Sequence, residues 1–299
     1  MNSLRLLGVT VLTMIAALAS EAQDPASIIN FVVIGDPHTY TGNPVNIPQV
    51  VERINALDIQ PDFVVSIGDN VSGHEDHKVL EDAKVYHQHI SRLQAPHYYV
   101  IGNHECIPVE VYKLLTWEEL LGAWEMDSRW YSFDLKGCHV IVLDGWISLR
   151  SETFAEVLKA QQEWFLSDIE GTALPTIVFI HQAIGFQQAD CPHWIETDNR
   201  KFWPPGNFFE RTIQEYADKI VGVFEGHKHK SLWKTCCGVV YHQIGASFMH
   251  EGQFAQVFID RETRRFLVLA HPERHERDEQ WSIQQTYGDR SLMEALRDN

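Results

Sequence analysis

Apolar and polar positions along the chain divide it into strands and helices in near-regular turn. Ile28 to Ile34 is a continuous apolar run that ends in Gly35-Asp36, the pattern of a strand buried on both faces. From Ile47 to Leu57 the period changes. Val50, Val51, Ile54 and Leu57 recur at three- and four-residue steps, which predicts an amphipathic helix. Asp62 to Ile67 is a second apolar strand, again closed by Gly-Asp. Glu75 to Leu93 reads as a long polar-faced helix, and His97 to Ile101 as a third strand closed by Gly102-Asn103. One or two short helices are expected between Val109 and Trp124.

The second half opens differently. Trp130 to Leu135 and Cys138 to Leu143 flank Lys136-Gly137, a two-residue turn signal that predicts a hairpin. Ser151 to Ile169 is helical, with Gly171 near its C-terminal cap. Thr176 to Ile180 is a strand ending at His181, Asn207 to Ala217 a helix, and Ile220 to Phe224 a strand running to Gly226. Leu232 to Ile244, Gln253 to Asp260 and Phe266 to Ala270 read as antiparallel strands. This order predicts an α/β protein in which two sheets pack face to face with helices outside.

The ends of the chain carry separate signals. Residues 1–22 have the form of a secretory signal: Arg5, an apolar run from Leu6 to Ala19, then small residues. That run of 14 residues is shorter than the roughly 20 that a membrane-spanning helix needs, and no later stretch approaches that length. The expected organisation is a leader (1–22), one domain (23–271), and a charged, weakly patterned extension (272–299). The extension is expected at the surface, with a short helix near Leu292 to Leu296. Five cysteines lie beyond the leader with no C-x-x-C spacing, which argues against a zinc knuckle and leaves disulfide connectivity open.

Composition narrows the chemistry. The 299 residues are 44% apolar and 22% charged, as in a folded globular chain. Acids outnumber bases 41 to 24, a net charge of −17, which argues against a stable nucleic-acid partner. There are 16 histidines, and several stand where strands end. Five strand ends carry, in order, Asp36-Pro37-His38, Asp69-Asn70, Asn103-His104-Glu105, His181 and His227-Lys228-His229. Ligands of α/β sheets bind beyond the carboxyl ends of strands, so these five loops are expected to converge. They bring carboxylate, amide and imidazole groups, the donors for a borderline divalent metal.

The series D-x-H, G-D-N, G-N-H-E, H and G-H-x-H, spanning Asp36 to His229, resembles the calcineurin-like metallophosphoesterase family. The resemblance implies a four-layer αββα sandwich of two mixed β-sheets flanked by helices. It also implies a centre of two divalent or trivalent metal ions, manganese, iron or zinc. By the same resemblance, Asp36, His38 and His229 would bind the first ion and Asp69 would bridge both. Asn103, His181 and His227 would complete the second. A metal-bridging hydroxide would attack phosphorus, and His104 would sit over the substrate as a non-ligand histidine. Purple acid phosphatases place a tyrosine soon after the bridging aspartate; here Val71 follows Asn70 and the first motif supplies His38, so that branch is not indicated.

The implied activity is hydrolysis of a phosphodiester, phosphomonoester or pyrophosphate bond in a small, nucleotide-like phosphorylated substrate. The aromatic, proline-rich stretch after His181 supplies candidate substrate-binding side chains in Trp194, Phe202 and Trp203. Two alternatives accompany this reading: a metal-binding protein of the same fold without turnover, and a nuclease, which the acidic balance and lack of a basic run disfavour.

Overall fold

The computed structural model describes residues 24–40, 46–73, 78–145, 152–184, 208–248, 252–271 and 286–297. Two six-stranded mixed sheets form its centre. The first contains β1 (Ile28–Ile34), β2 (Phe63–Ser66) and β3 (His97–Tyr99), all parallel. It is extended by β10 (Phe254–Asp260), β11 (Phe266–His271) and β12 (Tyr287–Gly288) in the order β12-β11-β10-β1-β2-β3. The second contains β4 (Tyr131–Leu135), β5 (Cys138–Leu143), β6 (Thr176–Ile180), β7 (Ile220–Glu225), β8 (Leu232–Cys236) and β9 (Val239–Gln243). Its order is β4-β5-β6-β7-β9-β8, with β5, β6, β7 and β9 parallel.

The apolar runs are continuous because each central strand is covered on both sides. Ile29, Phe31 and Val33 of β1 and Phe63 and Val65 of β2 point between the sheets. There they meet Val140, Val142, Ile177, Phe179 and Phe224 of the second sheet. The alternate residues, Val32, Ile34 and Val64, pack outward against α1 (Ile47–Asn55) and α2 (Val79–Ile90) through Val50, Val51, Ile54 and Tyr86. On the far side Ile141, Leu143, Val178 and Ile180 pack against α5 (Glu152–Gly171) and α6 (Phe208–Glu215) through Phe165, Ile169, Phe209 and Ile213. The layers are therefore helix, sheet, sheet, helix, as expected. Among the described residues no helix is long and apolar enough to cross a membrane.

Three features depart from expectation. The stretch Leu232 to Ile244 breaks at Cys237-Gly238, whose φ angles are 50° and 82°, into the hairpin β8–β9. Only β8 then runs antiparallel in that sheet beside β4, while β10 and β11 return to the first sheet, β10 antiparallel to β1. Helix formation after β3 begins earlier than Val109, with α3 (Asn103–Cys106) starting directly at the strand end. A single π-turn over Ile107–Val111 follows, closed by the Tyr112 N–H to Ile107 O bond at 3.1 Å. The next helix, α4 (Trp117–Ala123), has a capping box between Thr116 and Glu119. Finally, the short helix expected near Leu292 to Leu296 is present, but the described part of the extension packs into the domain instead of lying at its surface. Strand β12 pairs with β11, and α7 (Ser291–Arg297) buries Leu292 and Met293 against Ile28, Phe258 and Leu267. Two buried side chains per helix are too few to set a clear period in sequence.

Candidate metal centre

Parallel strands place their carboxyl ends at the same edge, and here the edges of the two sheets meet. Asp36 follows β1, Asp69 follows β2 and Asn103 follows β3, while His181 follows β6 and His227 and His229 follow β7. Hydrogen bonds cross between the sheets at this point. The His227 N–H donates to Asp36 Oδ1 at 2.8 Å, and His181 Nδ1 donates to Ile67 O at 2.7 Å. The second bond commits the proton of His181 to Nδ1 and leaves Nε2 facing the centre, the usual bracing of a metal-binding imidazole.

Two ligand groups result. Asp36, His38, Asp69 and His229 each offer an atom within 4.8 Å of the others, and so do Asp69, His181 and His227. Asp69 belongs to both. Asn103 Oδ1 joins the second group, 2.8 Å from His227 Nδ1 and 3.2 Å from His181 Nε2. Asp69 Oδ2 lies 3.2 Å from His181 Nε2 and 3.8 Å from His38 Nε2. His38 Nε2 and His229 Nε2 face one another at 3.1 Å. All seven residues expected as ligands are thus brought together. His104 stands beside them, its Nδ1 donating to Ser72 O and its Nε2 3.8 Å from Asp69 Oδ2. Trp194, Phe202 and Trp203 lie outside the described residues, as do the leader and Cys191. The other four cysteines are free thiols, and Cys106 and Cys138 are fully buried.

The backbone is strained where the candidate ligands sit. Asp36, His38, Asp69, His227 and His229 have φ of 36°, 46°, 49°, 72° and 54°. Such left-handed conformations cost of order 1 kcal/mol each for residues other than glycine, and in folded proteins they gather at functional sites. Gly68, at φ 93°, is required for another reason: a Cβ there would lie 2.5 Å from His181 Nδ1.

Electrostatics suit cations. Burial pushes Asp36 up to about 8, and the negative charge of Asp69 adds to this against the pull of His181. Burial acts in the same sense on Asp69, but His181, His104 and His38 outweigh it and hold that carboxyl well below the usual carboxylate range. Burial lowers His38 and His227 to about 3 and His229 to about 4, so these imidazoles are neutral and can donate lone pairs. His181 is the exception. Burial lowers it, but the Asp69 and Asp36 charges prevail and raise it to about 10. The fully buried Asp36 Oδ2 has no hydrogen-bond partner among the described residues. A buried carboxylate oxygen without a partner, and two neutral imidazole nitrogens aimed at each other, are arrangements that bound cations satisfy. The donor set fits two metal ions.

Two contributors escaped the sequence reading. Glu105, within the G-N-H-E motif but given no role there, is fully buried and accepts four backbone N–H groups. These come from Asp69 (3.0 Å), Asn70 (2.7 Å), Val71 (3.1 Å) and Gly102 (2.7 Å). It ties the Asp69 loop to the Asn103 loop. Burial and the Asp69 charge push its carboxyl up to about 8, against the pull of the Gly102 and Val71 N–H groups. Phe248 is the second. Its ring meets those of His38 and His229 edge-on, with centroids 4.9 and 5.1 Å apart.

A sandwich whose opposed strand ends supply two carboxylate-sharing ligand groups defines a metallohydrolase-type centre. The calcineurin-like phosphoesterase family profile matches residues 29–231, and the chain belongs to that family, making it a metal-dependent phosphoesterase. The fold is shared with a dimetal phosphatase from Danio rerio, at 13% identity and a TM-score of 0.60 over 89% of this chain and 99% of that one. It is also shared with GAP50, the anchor in the inner membrane complex of Plasmodium (13% identity, TM-score 0.59, 90% and 95% covered). A third likeness is to the purple acid phosphatase PPD1 of yellow lupin (13% identity, TM-score 0.54), of which the match covers 55% and this chain 89%. No curated protein sequence matched.

Proposed function

We propose that this chain is an exported phosphohydrolase that cleaves a phosphodiester, phosphomonoester or pyrophosphate bond of a small, nucleotide-like substrate. The observation that carries the reading is the pair of ligand groups sharing Asp69. Asp36, His38, Asp69 and His229 would hold one ion, and Asp69, Asn103, His181 and His227 the other, with manganese, iron and zinc all compatible with these donors. When bound, the ions supply Lewis acidity towards phosphoryl oxygens and acidify a water molecule. Export is supported by the leader pattern of residues 1–22.

The chain's own groups orient and move protons. The bond to Ile67 O fixes the His181 ring, and Glu105 fixes the loop that presents Asp69. His104 Nδ1 donates to Ser72 O, so only Nε2 faces the centre. With Nε2 protonated, His104 hands that proton to the departing alkoxide oxygen and leaves as neutral imidazole. The same Nε2–H can hydrogen-bond a phosphoryl oxygen beforehand, which places the leaving group on the His104 side.

The test is turnover of p-nitrophenyl phosphate, bis-p-nitrophenyl phosphate, cyclic AMP and ADP-ribose by manganese-loaded protein. At least one is hydrolysed, and His104→Ala keeps its metal while losing about 10²- to 10⁴-fold in kcat. Metal-loaded protein inert towards all four favours the non-catalytic binding reading, and wild-type rate in the variant removes the acid role from His104.

A further inference from the structure

The centre described so far is polar throughout: carboxylates, imidazoles and an amide, able to recognise cations and phosphate but indifferent to what the phosphate carries. Phe248 breaks that pattern. It stands in the connection after β9, outside every motif that brought the ligands together, and its ring lies against both His38 and His229, at interplanar angles of 89° and 81°. His38 is also in edge contact with His104, centroids 4.4 Å apart. His38 thus has the proton-donating imidazole and the phenyl ring as common neighbours.

The segment that carries Phe248 is pinned to both ligand loops. The Ile244 N–H donates to Glu225 O, two residues before His227, and the Ser247 N–H donates to Gly35 O, next to Asp36. Gly35 itself packs so closely on Gly245 that a Cβ would collide with the Gly245 carbonyl oxygen. The backbone leading to the ring is therefore held in register with both loops. Asp36 and Asp69 are buried to 0% and 1% exposure, whereas Phe248, beside two of the candidate ligands, is only partly buried and keeps some surface uncovered. Covering that surface with an aromatic group requires no hydrogen bond to be broken and gains both area and ring stacking.

We propose that Phe248 is a specificity-determining residue of the phosphoester site, an apolar wall on the first-ion side that favours substrates whose phosphate carries a flat aromatic group, an aryl ring or a nucleobase. The proposal rests on the phosphoester reading above and adds the class of organic group. It predicts discrimination by the ring itself, with the phosphate held by the ions and His104.

Binding of two non-hydrolysable phosphonates tests it without relying on turnover. Phenylphosphonate and methylphosphonate are titrated calorimetrically into the manganese-loaded full chain, with metal content measured on the same samples. Wild type prefers phenylphosphonate. Phe248→Ala lowers the phenyl-to-methyl preference about tenfold, in line with the loss of one stacking ring, and Phe248→Leu lowers it by less, both at wild-type metal content. An unchanged preference in the alanine variant overturns the proposal. So does an equal loss of both ligands together with metal in the alanine and leucine variants alike, which would make Phe248 a packing support for His38 and His229. If the alanine variant loses metal, the leucine variant decides by the same preference. Failure of metal-loaded wild type to bind either phosphonate would instead overturn the phosphoester reading.

Discussion

Replacing Glu105 with glutamine keeps the shape of a fully buried side chain and exchanges one acceptor oxygen for an amide nitrogen. Oε1 accepts from Asn70 and Val71, and Oε2 from Asp69 and Gly102. An amide NH2 accepts nothing, so whichever way it turns, two backbone N–H groups lose their acceptor and face another donor. Leaving a buried donor unsatisfied costs about 1–3 kcal/mol, so the pair costs about 2–6 kcal/mol. At roughly 2 °C of Tm per kcal/mol for a chain of this size, the melting temperature falls by about 4–12 °C. The injury is not confined to stability, because the four donors belong to the loops that present Asp69 and Asn103. The second ion, which needs both, should bind more weakly than the first. Differential scanning fluorimetry and metal analysis of the manganese-loaded protein measure the two effects, the bound cations favouring the ionised carboxylate in wild type. A Glu105→Gln protein that melts within 1 °C of wild type and retains its full metal content would refute the bracing role.

Two further predictions concern protons. Asp36, raised to about 8, and His181, raised to about 10, are protonated at neutral pH in the metal-free centre and must release those protons to bind ions. Metal loading at pH 7 therefore releases protons from the centre, and apparent affinity climbs as pH rises from 7. Calorimetric heats that do not change between buffers of different ionisation enthalpy would contradict this. His242, stacked on Phe224 at 4.6 Å and bonded through Nδ1 to the Tyr287 hydroxyl, is held down to about 3 by burial. The unfolded chain takes up this proton first as pH falls. Stability is therefore intact above about 6.5 and declines from there towards 3, by about 2 kcal/mol already at pH 5. Across that interval His242→Phe should lose less stability than wild type by that amount in urea unfolding. Parallel pH curves for the two proteins would refute it.

How far the fold could be read in sequence depended on how local each feature is. The central strands were legible because burial on both faces leaves an uninterrupted apolar run, as in Ile28–Ile34. The candidate ligands were legible because strand ends are marked by Gly-Asp and Gly-Asn, and the family's motif order links them. Pairing was less accessible. Nothing local to Phe254–Asp260 says that it joins β1, more than two hundred residues away, rather than the neighbouring β9. The π-turn after Cys106 depends on how Pro108 and the buried Val109 fit against the first sheet, and the docking of α7 on Leu292 and Met293. Glu105 and Phe248 act through tertiary geometry. One gathers N–H groups from two loops, and the other reaches imidazoles that are separated from each other by 191 residues.

The central claim, that seven side chains make one centre for two ions bridged by Asp69, is tested most directly by counting metal. Manganese-loaded wild type should carry two ions per chain after equilibrium dialysis, and Asp69→Ala fewer than one, with the loss falling on both sites. Wild type holding a single ion, or an alanine variant that keeps both, would contradict the account.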